Sequence, residues 1–507
     1  MSKLCYAPVM RFAKTIFEQS IHPSWIFYAA IWGIIIGTIG SFIFEIMIFN
    51  HWLWLVVAIL ILIFVLRHPT RIMLIFAIFS GMMIGNLRVA PEIIGRANLA
   101  NLVGETVTLN GKIADDPVVT SGQVTVHLTQ LELHLPRDEL IEVAGMVYVQ
   151  LSNPRIDLER SDKITITGKV GTDFGTYAAS FYRPELTGVT RSETGDVFAR
   201  LKNWFAERVR DFIASPAVDL GLGYLVGMKS GLSESFSDAL SAVGMTHVVV
   251  ASGAHLGILI GAAGKLFGKL SKFSGLMLSL LLVLAFVLIV GFTPSMTRAA
   301  LVTSLSLMVG YVGRKFTPLR LLSLVAALTL LLVPTNFQNL GWQLSFASFF
   351  GIMIFAPCLQ KLLYGGKKPP WLAGMLITSI STSLICAPIL IYNFGSLSFL
   401  SLVANLIILP TLPYAMLLVF LTGSFSFCAA IAQVLGQIAT YLLDFHIFII
   451  NFLSEKKMFI LELPPDDARI FLLYLLIGVL LVVMQYRHYK KICYNEKHED
   501  KVRIRDD

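Results

Sequence analysis

Long apolar runs joined by short loops make up most of the chain. Three runs lie near the amino terminus, at residues 25–44, 52–66 and 72–87. The later runs occupy residues 244–264, 276–292, 299–312, 321–333, 342–356, 371–391, 399–420, 430–452 and 470–486. A helix needs about 20 apolar residues to cross a bilayer, and shorter runs need support from neighbouring helices. The pattern therefore predicts a polytopic α-helical membrane protein with about twelve spans.

After the third apolar run, apolar and polar residues alternate with a period of two. Val126 and Leu128 alternate with polar neighbours, which is typical of a half-buried strand. The same alternation marks residues 106–114, 124–129, 147–151, 164–167 and 186–189. A small barrel is the natural way to close so few strands. We predict a soluble β domain over residues 101–194, inserted between membrane helices.

The segment 195–243 joins the β domain to the later spans. Phe198, Leu201 and Phe205 recur at helical spacing while basic residues point elsewhere, which favours a helix lying in the membrane interface. The apolar pieces that follow, within residues 220–240, are too short to cross a bilayer. They are expected to be re-entrant or interfacial.

Composition supports a membrane protein, since 56% of the residues are hydrophobic and only 14% are charged. Lys and Arg exceed Asp and Glu by 40 to 32, but basic loops on the cytoplasmic side explain such an excess without nucleic acid. The basic loops fall after alternate spans. We therefore expect both termini in the cytoplasm, with a charged tail at residues 488–507, and the β domain outside. The five cysteines have no C-x-x-C spacing, so neither a metal site nor a cofactor is expected.

The β domain carries aromatic residues and an acidic balance. Its residues 101–194 include 8 Lys or Arg against 13 Asp or Glu, which opposes a general phosphate-binding surface. The aromatic residues after the fourth strand are candidates to stack DNA bases: Phe174, Tyr177, Phe181 and Tyr182. The favoured alternative is that they form a lid of the barrel or rest on the membrane surface.

The fourth run, residues 244–264, holds an unusual polar cluster. His247, Ser252 and His255 lie among Val, Ala, Leu and Ile, together with Gly253 and Gly257. Polar groups at membrane depth are costly and often face a bundle interior or a wet path. The glycines would let a neighbouring helix approach closely. A plain alternative is that the histidines and serine only hydrogen-bond to a neighbouring helix.

This cluster carries a family resemblance. Residues 246–256, THVVVASGAHL, resemble the HLLAISGLHV signature of the ComEC family of competence proteins, the membrane channels for DNA uptake. Other parts resemble further motifs of that family in the same order: SMTRA with Arg298, a Gly-Arg pair at 313–314, GWQLSF with Gln343 and Ser345, and Ala404-Asn405 before Pro410. The amino-terminal spans and an OB-type extracytoplasmic β-barrel are also expected of this family.

The resemblance implies that residues 244–487 form a channel for single-stranded DNA in the cytoplasmic membrane. The residues expected to line the path, or to brace the helices around it, are His247, Ser252, Gly253, His255, Gly257, Arg298, Gln343, Ser345 and Asn405. The expected partners are single-stranded DNA, membrane lipid, a separate DNA receptor, a separate nuclease and a cytoplasmic ATP-driven motor. The sequence has no H-x-H-x-D-H metal motif and no G-x-x-x-x-G-K-[ST] loop, so we expect neither nuclease nor ATPase activity.

Two other functions fit parts of the pattern. A small-solute transporter would also use broken membrane helices, although it predicts inverted repeats that are not evident in the sequence. An intramembrane hydrolase would use Ser252 as nucleophile and His255 as base, but no nearby acid is available to orient the base.

Overall fold

The computed structural model describes most of the chain. The described residues are 20–49, 51–120, 123–134, 140–152, 158–191, 196–228, 231–249, 253–266, 271–314, 317–365, 367–456, 460–462, 472–474 and 476–478. Ser252, the tail 488–507 and most of the predicted span 470–486 lie outside them. The chain divides into two compact units, Met1–Arg200 with Gly291–Asn339, and Leu201–Val290 with Leu340–Asp507.

Seven helical segments in the described part of the chain are long and apolar enough to cross a membrane. They are Pro23–Ile43, Met73–Ala100, Lys272–Val290, Leu340–Tyr364, Trp371–Phe394, Leu400–Ser424 and Ala429–Ser454. The expectation of about twelve spans is not confirmed. Leu53–Arg67 and Pro318–Leu332 have 15 residues each, which is shorter than the 20 or so residues that a full crossing needs.

The described residues of the first unit include the helices α1 (Pro23–Ile43), α2 (Leu53–Arg67), α3 (Met73–Ala100), α10 (Pro294–Tyr311) and α11 (Pro318–Leu332). Proline occupies the first position of α1, α10 and α11, where its missing N–H costs no hydrogen bond. Buried glycines let α1 and α3 pack backbone to backbone. A Cβ atom added to Gly37 would lie 2.5 Å from the Cα atom of Met82, and one added to Gly85 would lie 2.6 Å from the carbonyl oxygen of Ile34.

Helices α1, α3 and α11 run in the same direction. The Arg320 guanidinium, near the start of α11, lies 5.4 Å from the ring centroid of Trp25, near the start of α1. Farther along, Arg88 of α3 donates to the carbonyl oxygens of Leu331 and Leu332 at 2.8 Å each. The charge pattern of the sequence requires this common direction, while the side of the membrane on which each end lies stays a prediction.

The β domain is an antiparallel sheet with one parallel pair. Its strands are β1 (Thr106–Ile113), β2 (Val118–Thr120), β3 (Gln123–His134), β4 (Leu140–Val143), β5 (Met146–Ser152), β6 (Lys163–Lys169), β7 (Tyr177–Tyr182) and β8 (Glu185–Thr190). Their order is β7-β5-β3-β1-β6-β8, with β2 and β4 also paired to β3. The parallel pair is β5 with β7.

The domain departs from the prediction in two ways. It has eight strands where the alternation indicated about five, because β2 and β4 are short and β7 lacks alternation. The described strands also form an open sheet that ends at β7 and β8, so a closed OB-type barrel is not confirmed. Leu109, Val126 and Ile166 are fully buried in its core, as the period of two requires.

The second unit is built around short buried helices and long apolar ones. Its helices after α4 (Val197–Arg210) are α5 (Ala217–Val226), α6 (Glu234–Val243), α7 (Thr246–Val249), α8 (Gly253–Leu266), α9 (Lys272–Val290), α12 (Leu340–Phe350), α13 (Ala356–Tyr364), α14 (Trp371–Phe394), α15 (Leu400–Ser424) and α16 (Ala429–Ser454). A π-helical turn, Gly351–Phe355, joins α12 to α13. Two short strands, β9 (Ser396–Ser398) and β10 (Ile460–Glu462), pair with each other.

The core of the second unit lies where α5 meets α15 and α16. Leu220 and Leu222 of α5, Ile408 of α15, and Leu443 of α16 are fully buried there. Of the segment predicted to lie in the membrane interface, Leu201 and Trp204 are exposed, but Phe205 packs against this core. The pieces predicted to be re-entrant or interfacial include α5, a ten-residue helix that is almost wholly buried.

Candidate functional site

The polar cluster of residues 244–264 begins at a helix end. Gly244 caps α6 with a φ of +76°, a left-handed conformation that glycine adopts without strain. Helix α7, described over Thr246–Val249, follows this cap. Nδ1 of His247 lies 3.0 Å from the carbonyl oxygen of Gly244, and the rest of the His247 side chain is exposed within this unit. His247 is therefore tied to the cap of the preceding helix.

His255 lies on α8. α7 is described as far as Val249 and α8 from Gly253 onward, and residues 250–252 between them lie outside the described residues. The His255 side chain is fully buried, and Gly253 is half-buried. Ser252, which was predicted together with His255, lies outside the described residues.

Two glycines of this segment, Gly257 and Gly261 of α8, meet no neighbouring helix among the described residues. A Cβ atom added to either would have no atom of the described structure within 4 Å. Gly257 is exposed on α8 instead of buried in a helix contact. Close backbone contacts of glycine are found on other helices, for example between α1 and α3, where Gly37 and Gly85 meet backbone atoms.

Arg298 lies near the start of α10, which belongs to the first unit, while the other candidate residues in membrane helices lie in the second. Its side chain is only 7% exposed. The Thr293 hydroxyl accepts a 3.3 Å hydrogen bond from the Met296 amide and so caps this helix. The cap fixes the first turn of α10 and with it the position of Arg298.

The remaining predicted residues lie on α12 and α15. Ser345 is buried and Gln343 half-buried on α12, just before the π-helical turn. π-helical turns inside α-helices frequently occur at functional sites. Asn405 is half-buried on α15, and its Oδ1 atom has no hydrogen-bond partner among the described residues. Ser345 and Asn405 are thus polar side chains inside a largely apolar unit.

A buried polar group that the sequence reasoning missed lies between α5, α15 and α16. The Thr411 hydroxyl lies 2.8 Å from Nε2 of His446 and 2.9 Å from the carbonyl oxygen of Ile408. Since the hydroxyl donates its single hydrogen to the carbonyl, Nε2 of His446 donates to the hydroxyl. The ring of Tyr224 meets His446 with centroids 5.8 Å apart.

This group leaves two buried polar atoms without a partner in the described part of the structure, Nδ1 of His446 and the Tyr224 hydroxyl. It lies beside a weakened part of α15, since Pro410 and Pro413 each remove an N–H from the helix. The sequence did contain a signal. His446 is a histidine within an apolar run, the same criterion that selected His247 and His255.

Comparison with known proteins identifies the family. The sequence matches the Competence protein family over residues 224–487, which is more than half of the chain. The chain belongs to this family. It is also similar to ComE operon protein 3 of Bacillus subtilis (strain 168), with 26% identity over 194 residues. That match covers 38% of this chain but only 24% of the relative's length. No solved structure matches the chain.

The matched range of this competence protein contains every candidate residue in its membrane helices, from His247 to Asn405. It also contains the missed group, Tyr224, Thr411 and His446. The β domain, with strands between Thr106 and Thr190, lies outside the match.

The aromatic residues of the β domain do not form one set. Phe181 is fully buried in the core of the sheet, so its selection as a base-stacking residue is wrong. Successive strand residues point to opposite faces, and Tyr182 is 60% exposed on the other face. Phe174, Tyr177 and Tyr182 instead cluster around Tyr148, with ring centroids 5.3, 5.6 and 6.0 Å from it.

A short polar chain holds Tyr177 in this cluster. Its hydroxyl lies 2.9 Å from Nε2 of His127, whose Nδ1 lies 2.8 Å from a carboxylate oxygen of Asp115. Burial, and then the negative charge of Asp115 and the neighbouring Tyr148, raise the pKa of Tyr177 to about 12. The Tyr177 side chain is therefore a neutral phenol at physiological pH.

Proposed function

We propose that this protein conducts single-stranded DNA across the cytoplasmic membrane into the cell during natural transformation. The observation that carries the proposal is the match to the Competence protein family over residues 224–487, the range that holds the polar residues of the second unit's membrane helices. Seven apolar helices long enough to cross a bilayer are consistent with a membrane conduit.

The distribution of charge supports a path for a polyanion. Phosphates repel carboxylates, so a DNA path needs a lining that is neutral or positive. Among the long helices within the matched range, α9, α12 with α13, α14, α15 and α16, the sequence holds one carboxylate, Asp444 on α16. Asp444 is exposed on the surface of its unit. The interior faces of these helices therefore carry no acidic side chain.

Interrupted helices supply polar groups without acidic residues. The described part of the second unit has two such places, the π-helical turn Gly351–Phe355 and the prolines of α15. Interrupted helices in membrane proteins are tolerated where they line a cavity or are buried in protein, and free helix ends attract phosphate. We propose that Ser345 and Asn405 contribute to the path near these interruptions and that His255 contributes to it from α8.

We further propose that the protein itself does not cleave DNA and that separate proteins supply the receptor, the nuclease and the ATP-driven motor. The support is the absence from this sequence of the metal and nucleotide-binding motifs that such activities use. Purified protein incubated with labelled DNA and Mg²⁺, Mn²⁺ or Zn²⁺ should leave the DNA intact. Cleavage that copurifies with the protein and is abolished by a chelator would overturn this part.

The uptake role is tested in competent cells whose chromosomal copy of the gene is deleted. Labelled double-stranded DNA should still bind to the cell surface, but label protected from external nuclease should be lost and should return when the gene is restored. Protected DNA that accumulates equally without the protein would contradict the proposal. Normal DNA entry combined with loss of a small nutrient's uptake would instead favour a solute transporter.

A further inference from the structure

Helix α3 is too long to lie entirely within a membrane. Its 28 residues extend about 42 Å at 1.5 Å per residue, whereas the hydrocarbon core is about 30 Å thick. Counted from Met73, about 20 residues fill the core, so the helix leaves it near Ile93. The last two turns, which contain Gly95 and Arg96, therefore lie at the level of the lipid headgroups.

The β domain is joined to α3 at this level. Gly95 packs against the carbonyl oxygen of Ala144, in the turn before β5, so closely that no side chain would fit. Arg96 donates to the Asp173 carboxylate at 3.1 Å and to the Gly175 carbonyl oxygen at 2.7 Å. These contacts fix the turn between β6 and β7 beside the emerging helix.

Phe174 lies between the two residues that Arg96 holds. Its ring is 42% exposed, and it packs against Tyr177 and Tyr148 with centroids 5.1 and 5.3 Å away. We call these three residues, Phe174, Tyr177 and Tyr148, the proximal aromatic cluster. The hydrogen bond from Tyr177 to His127 helps to hold the cluster in place.

We propose that the proximal aromatic cluster rests in the headgroup region of the bilayer beside α3 and anchors the β domain to the lipid surface. Aromatic rings with a polar edge are enriched at this depth because one end is apolar and the other stays hydrated. The side chain of Ile94, next to Gly95 on α3, is 45% exposed and apolar, as a residue at the lipid surface can be. The partner is phospholipid.

The alternative occupant of the cluster is single-stranded DNA, whose bases stack on aromatic rings. Two observations favour lipid. The acidic balance of residues 101–194 repels the net negative charge that each nucleotide of DNA carries, whereas a phosphatidylethanolamine headgroup has no net charge. Asp173 precedes Phe174, and Asp115 bonds to the His127 ring that contacts Tyr177; both carboxylates are half-exposed. Arg96, the cation nearest to Phe174 along these contacts, is already engaged by Asp173, Gly175 and Gln338. The proposal does not depend on the transport function.

The test measures the depth of a spin label in the full-length protein, with its native cysteines replaced, in nanodiscs of phosphatidylethanolamine and phosphatidylglycerol. One spin label is placed at a time, at F174C or at T172C. The T172C variant keeps all three aromatic rings of the cluster, whereas F174C reports from the position of the exposed ring itself. The matched control is S152C, six residues along β5 from Met146 and therefore about 20 Å farther along the strand. Power saturation compares collisions with lipid-soluble oxygen and with a water-soluble nickel complex.

The proposal expects the labels at Phe174 and Thr172 to favour oxygen over nickel several-fold more than the label at Ser152. Equal exposure to nickel at all three positions would overturn it. In a second measurement, the same labels are examined after addition of a single-stranded oligothymidylate. A label at Phe174 that becomes immobilised and protected from nickel only when the oligonucleotide is present would assign the cluster to DNA and would also overturn the proposal.

Discussion

A branched side chain at Gly37 should force α1 and α3 apart. The first atom of such a side chain would lie 2.5 Å from both Cα and the carbonyl oxygen of Met82, whereas ordinary contacts begin at 3.4 Å. The two helices must therefore separate by about 1 Å, which weakens the dispersion contacts along their seam. Overpacking of this kind typically costs about 1–3 kcal/mol. We expect Gly37→Val to lower the stability of the first unit by that amount.

The same helix offers a matched control. Gly40 lies three residues later on α1, and a Cβ atom added there would meet no described atom within 4 Å. Both variants gain the same side chain and the same apolar surface. Thermal aggregation in detergent, followed by size-exclusion chromatography, should show a lower midpoint for Gly37→Val than for Gly40→Val. Equal midpoints would refute the backbone-to-backbone packing of α1 on α3.

Three further predictions address the site, the topology and one helix cap. If His255 lines the path, His255→Ala should lower DNA uptake several-fold more than it lowers folded protein, with Gly261→Ala as a neutral control on the same helix; equal losses would indicate a bracing role. A membrane-impermeant thiol reagent applied outside should label a cysteine at Glu185 of the β domain but not one at Lys367; the reverse would invert the assumed orientation. Asp196 caps α4 and pairs with an arginine at 2.6 Å. Burial alone would raise the pKa of Asp196, but the bonds from the arginine and from backbone amides lower it below its ordinary value. The resulting stability is present above pH 4 or so and is lost as the pH falls through the lowered pKa, so Asp196→Asn should cost about 1 kcal/mol near neutral pH and less in acid. A pH-independent difference would contradict this origin.

The sequence predicted the strands whose two faces differ. β3 and β5 were found because buried Val126 and Val149 alternate with polar residues. β7 was missed because Ala178, Ala179, Ser180 and Phe181 are all buried in succession. It pairs in parallel with β5. A strand covered on both faces has no period of two, and the aromatic residues within it were therefore interpreted as following a strand.

Glycine spacing indicated close helix packing but not its location. The spacing of four recurs at Gly33 and Gly37 of α1 and at Gly81 and Gly85 of α3, where the backbones meet. The same spacing around Gly257 on α8 meets no described neighbour. A helix reveals its small residues in its own sequence, whereas the partner that fills the gap depends on how distant helices assemble.

The candidate site was predicted in part. A polar residue within an apolar run identified His255, which the structure buries, but the same rule would also have selected His446. The association of Tyr224 with His446 could not be predicted, because more than 200 residues separate them in the sequence. The motifs grouped Arg298 with the histidines by sequence, and the structure assigns Arg298 to the first unit and the histidines to the second.

The central claim, that this protein is itself the conduit for single-stranded DNA, is tested most directly by reconstitution. Purified protein in liposomes, with a potassium diffusion potential that makes the lumen positive, should admit a fluorescent single-stranded oligonucleotide into a compartment protected from added nuclease. A double-stranded oligonucleotide of equal length should stay outside. Liposomes that contain folded protein and admit small solutes, but exclude the single strand as completely as protein-free liposomes do, would contradict the account.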